Sequence, residues 1–151
     1  MGLRDQFATD SSLETKGIVV DYGDDRIRIA RAGGANKRYE RLPESKTKHL
    51  RRAISVGAIS GDQSMAILRE VYAETVILDW QHNVGTLEDP VWEKGINPKD
   101  VGDESEGLLP VNPENVKRVL IALPDLFIDL QQQAQVGALY RQEINEASAG
   151  N

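Results

Sequence analysis

The longest stretch free of glycine and proline, Asp62 to Asn83 (DQSMAILREVYAETVILDWQHN), limits what this chain can fold into more than any other. Ile67, Leu68, Val71, Tyr72, Thr75 and Leu78 recur at offsets of three and four, which predicts a helix over about 62–83. Met65, Val76, Ile77 and Trp80 spread the apolar surface beyond one stripe, so this helix has to be covered on more than one side. It reads as the floor of two packings, with a basic helix on one side and a broken C-terminal helix pair on the other.

The flanking segments supply that cover. Residues 1–16 are polar and aperiodic, an arm that stays loose unless something ties it down. In 17–32 Ile18, Val20 and Tyr22 alternate with Val19 and Asp21, and Ile27 and Ile29 alternate with arginines, so a β-hairpin turning near Gly23-Asp24 is predicted. A helix of about 36–55 opens at Asn36 and carries Pro43, which predicts a kink or a division into two short helices. Residues 84–112 form an acidic loop in which PVWEKGI and GLLPV are candidates for pairing, with Trp92 as their anchor. Asn112-Pro113 starts a helix of 113–123, and Pro124 separates it from another of 125–139. Val116, Leu120, Leu123, Phe127, Leu130 and Ala134 form a narrow seam along the pair. A polar tail, 141–151, follows. The predicted fold is mainly α with a small β part (α+β): a hairpin followed by a bundle of three to five helices, in a single domain spanning 17–140.

Chemistry is sparse in this sequence. There is no cysteine, which removes disulfides, thiolate metal sites and cysteine nucleophiles. His49 and His82 stand thirty-three positions apart in no ligand spacing, and no nucleophile–base motif or phosphate loop is present. No enzyme activity, metal or cofactor is therefore expected. No run approaches the roughly eighteen apolar residues of a membrane span, and Gln6 replaces the Ser or Thr of a myristoylation motif. The net charge of −6 conceals a polarity. Residues 26–52 carry ten Lys/Arg against Glu40 and Glu44, a net of +8, whereas 53–151 net −10. Such separation suits self-complementary packing or docking on a charged partner. Nucleic-acid binding is the weaker use of the basic segment, because the whole chain is acidic and only Tyr39 is at hand for stacking.

In order along the chain, RIARAGGANKRYE, LREVYAETVILDW and LPDLFIDLQQQA resemble the tail assembly chaperones of long-tailed bacteriophages, over residues 13–140. Pro43 and the length of the 84–112 segment depart from that pattern. The resemblance implies a non-enzymatic protein of the host cytoplasm that binds the phage tape measure protein and helps recruit tail tube protein. The alternative is a structural virion subunit of the tail or connector, and a third reading is a nucleic-acid-binding accessory protein. Partner contacts are expected at apolar Tyr72, Val76, Trp80, Leu126, Phe127 and Leu130, steered by Lys37, Arg41, Lys48 and Arg52 on the basic helix.

Overall fold

A computed structural model describes residues 2–48 and 60–141. Two short helices, α1 (Leu3–Phe7) and α2 (Ser11–Lys16), precede strands β1 (Ile18–Asp21) and β2 (Asp25–Ile29). Helices α3 (Lys37–Thr47) and α4 (Gly61–Thr75) follow, then strands β3 (Ile77–Asn83) and β4 (Trp92–Lys94). A 3-10 turn at Pro98–Val101 leads to α5 (Pro113–Ala122), α6 (Pro124–Gln135) and a last 3-10 turn at Gly137–Tyr140.

The hairpin forms with Ile18 opposite Ile29 and Asp21 opposite Arg26. Gly23 in its turn takes φ +88, a conformation that side chains with a Cβ rarely adopt. The helical bundle, however, is replaced by a four-stranded antiparallel sheet in the order β1-β2-β3-β4, with helices packed on it. The predicted helix of 62–83 is therefore two elements. Ser60 and Gln63 cap α4 reciprocally: the Ser60 hydroxyl accepts from the Gln63 amide at 3.0 Å, and the Gln63 side chain accepts from the Ser60 amide at 2.9 Å. The helix stops at Thr75-Val76-Ile77, three β-branched residues in succession, whose side chains suit a pleated strand better than a helix.

An irregularity in β3 explains the mistaken period. Ile27 pairs with Trp80 and Arg28 with Asp79, but Ile29 pairs with Ile77, so Leu78 is an extra residue, a β-bulge. Ile77 and Trp80, three apart in sequence, consequently point to the same face as Ile27 and Ile29, two apart. The offset of three that mimics a helix is a strand offset of two plus the bulge.

The core lies between that sheet face and α4–α6, built from Ile27, Ile29, Tyr72, Val76, Trp80, Val116, Val119, Leu120, Phe127 and Leu130 with their neighbours. Tyr72 meets Tyr39 of α3 and Phe127 of α6 edge to face, with ring centroids 5.9 and 5.3 Å apart. Pro43 lies within an unbroken α3, so the expected division of that helix is absent from Lys37–Thr47. Asn36 does not cap α3 with its side chain; it is buried instead, and its amide donates to the carbonyls of Arg31 and Thr75, both at 2.9 Å. Within 84–112, Ile96 and Leu109 exchange backbone hydrogen bonds, and the Trp80 indole N–H donates to the Leu109 carbonyl at 2.9 Å. The loop is thereby tied to the core, whereas Trp92 lies under the Arg26 guanidinium, 3.8 Å from the ring centre.

The arm is tied as well. Glu14, only 4% exposed, receives Arg31 Nη1 at 2.7 Å, the Thr9 hydroxyl at 2.9 Å and the Ala35 amide at 3.4 Å. Asp10 donates its amide to the Tyr140 carbonyl at 2.7 Å, and Thr9 bridges to Arg141. Together these fix α1 and α2 at the end of the hairpin opposite its turn.

Candidate functional site

Five of the expected partner contacts are interior. Tyr72, Val76, Trp80, Phe127 and Leu130 are all buried, because the sheet that carries Trp80 closes over α4 and the α5–α6 pair. Their burial removes them from the surface a partner meets, and the expectation of an exposed apolar face around Tyr72, Val76 and Trp80 is corrected accordingly. Leu126 differs: it is half-buried and lines an open cleft.

The basic residues stand outside. Lys37 and Arg41 are exposed on α3, and Lys48 is exposed at its C-terminal cap. Arg52 lies outside the described residues. Lys37 approaches Glu40 at 3.7 Å, an exposed pair of small energetic weight. Arg38 and Arg41 flank Leu42 in a shallow notch that reaches Thr75 of α4, so an apolar foothold sits within the cationic face.

An open cleft, unmarked by any motif in the sequence, lies away from these basic residues. It encloses about 350 Å³ between the hairpin turn, the 3-10 turn of Pro98–Val101 and the joint of α5 with α6. That volume is near the lower end of the roughly 300–1,000 Å³ range of pockets that hold small ligands. Ile27, Val101, Val119, Leu123 and Leu126 make its lining mostly apolar, and Asp25, Asp100 and Asp125 give it carboxylates. Pro124 lies in the lining at the joint itself: α5 ends at Ala122, Leu123 leaves the helical conformation, and α6 begins at Pro124. Asp25 contacts His82 Nδ1 at 2.9 Å, and the Tyr22 hydroxyl donates to Asp129 of α6, joining the hairpin turn to the far wall. Partial desolvation of an otherwise exposed side chain, and then the neighbouring charge of Asp25, hold the Asp100 carboxyl above its ordinary pKa. Tyr22 is likewise pushed up, first by burial and then by Asp129. The break at Pro124 was the one sequence signal for this cleft; the contributions of Ile96, Asp100 and Val101 depend on how the loop folds back.

These surfaces suit binding. Among the described residues, no group of three or more His, Cys, Asp or Glu side chains is placed to hold a metal ion, and no helix is long and apolar enough to cross a membrane. No curated protein and no solved structure matches the chain. The profile of a family described as YdaY prophage protein matches residues 34–151, which take in α3 through α6, strands β3 and β4 and most of the cleft wall. With the greater part of its length covered by that match, the chain belongs to the YdaY prophage protein family and is phage-derived.

Proposed function

We propose that this protein is a non-enzymatic tail assembly chaperone, which binds the tape measure protein in the host cytoplasm and helps bring tail tube subunits to it. The observation that carries this reading is the cationic face of α3. In a chain of net charge −6, Lys37, Arg38, Arg41 and Lys48 stand exposed on and beside one helix, with the Leu42 notch between two of the arginines. A carrier for a long client needs many weak, reversible contacts. Exposed charge speeds encounter and sets orientation without locking the complex, and a small apolar notch adds modest affinity at each contact. Phage origin and the ordered motifs of residues 13–140 support the same reading.

Arg38→Glu with Arg41→Glu is expected to weaken capture of the tape measure protein at least tenfold while leaving the circular dichroism spectrum unchanged, because both side chains are exposed. Wild-type capture should also fall as salt rises and screens the steering charges. Undiminished pull-down by the folded double variant would remove α3 as the client face. Mass spectrometry of purified phage particles should find the protein absent; many copies per particle would mark it as a structural subunit instead.

A further inference from the structure

We propose that the carboxylate-rimmed cleft receives the α1 helix of a second copy of this chain, so that copies join head to tail. The inference goes beyond the chaperone reading and concerns a different surface from the α3 face.

Complementarity selects the occupant. The cleft offers apolar walls beneath Asp25, Asp100 and Asp125, so it calls for a segment with large apolar side chains next to cations. Helix α1 has that character. Leu3 and Phe7, one helical turn apart, are 76% and 63% exposed, and nothing in α1 is buried. Arg4 lies between them in sequence, and the Arg141 guanidinium stands 5.6 Å from the Phe7 ring centre. The one acid of α1, Asp5, turns back to accept the Gly2 amide at 3.4 Å. Leu87, at 83% exposure the barest large apolar side chain among the described residues, is followed by Glu88 and Asp89, charges that the rim of the cleft repels.

Topology decides that the occupant comes from another molecule. The cleft abuts the turn of the hairpin, through Tyr22 and Asp25. The arm is fastened at the other end, by Glu14 to Arg31 just beyond β2 and by Asp10 to Tyr140. The five residues of β2 separate the two ends, by roughly 16 Å at the usual rise along a strand. Each molecule therefore carries a plug at one pole and a socket at the other. An interface between two unlike surfaces is heterologous, and it propagates into a ring or an open row instead of stopping at a dimer.

The test uses the full chain and two folded variants, each followed by analytical ultracentrifugation over a wide concentration range. Leu3→Ser with Phe7→Ser removes the plug, and Asp100→Lys with Asp125→Lys reverses the rim; all four side chains are exposed, so both proteins should keep the wild-type circular dichroism spectrum. The wild type should form a concentration-dependent series of oligomers. Each variant alone should associate at least tenfold more weakly. Mixed together, they should form one-to-one heterodimers that grow no further, since the intact plug of the rim variant meets the intact socket of the plug variant. A wild type that stays monomeric throughout, variants that assemble as the wild type does, or a mixture that yields no heterodimer would each overturn the proposal.

Discussion

Trp80→Ala is expected to cost about 3–5 kcal/mol of folding stability, the range for truncating a fully buried aromatic. Trp80 is 1% exposed and stands opposite Ile27 in the sheet, so the cavity would open at the contact between sheet and helices. The change also removes the indole N–H that the Leu109 carbonyl accepts, which releases the loop of 84–112 from the core. A domain of this size has only about 5–15 kcal/mol in hand, so the variant should be partly unfolded at moderate temperature. Urea denaturation followed by circular dichroism measures the effect. A loss under about 1 kcal/mol would mean that Trp80 is a surface residue, as the uninterrupted helix of 62–83 would have made it.

The Glu14–Arg31 pair should be the next most costly to break. Glu14→Ala leaves Arg31, whose side chain is a quarter exposed, without its carboxylate, and it frees the Thr9 hydroxyl and the Ala35 amide. Losing one partner of a buried pair costs about 3–5 kcal/mol; the partial exposure of Arg31 lowers the expectation to about 2–3 kcal/mol. Burial acts to raise the pKa of Glu14, but the hydrogen bonds from Arg31, Thr9 and Ala35 outweigh it and hold the carboxyl below its ordinary value of 4.5. The folded state thus favours the ionised form. The stability this contributes is fully present above pH 4.5 and is lost as pH falls through the lower, folded-state pKa. The gap in stability between wild type and Glu14→Gln should be constant from neutral pH down to about 5 and close in more acid solution. A gap that widens as the solution is acidified would contradict the assignment. Gly34 belongs to the same cluster: at φ +55, a Cβ there would fall 1.7 Å from Glu14 Oε2, so a larger residue should also dislodge the arm.

Local chemistry was legible wherever a few neighbouring residues settle the matter. The alternation of Ile27 and Ile29 with arginines marked the second hairpin strand, and Asn112 with Pro113 marked a helix start. What escaped depends on partners distant in sequence. The apolar spacing of Ile77 and Trp80 fits a helix and a bulged strand equally well, and only pairing with β2 distinguishes them. Once β3 leaves the helix, Tyr72, Val76 and Trp80 change from the edge of a bundle to the centre of a two-layer core. The clamp on Glu14 joins groups seventeen residues apart, and the cleft draws on three separate segments, so neither shows its full set of residues in a local pattern. The exposure of Lys37 and Arg41, by contrast, was readable from the spacing of charges along one helix.

Co-expression with the tape measure protein of the same phage tests the central claim most directly. The account predicts that the tape measure protein, insoluble when made alone, becomes soluble and co-purifies with this chain, and that Arg38→Glu with Arg41→Glu loses both effects. A tape measure protein that stays insoluble beside an abundant, folded partner, or that is soluble but never co-purifies with it, would contradict the account.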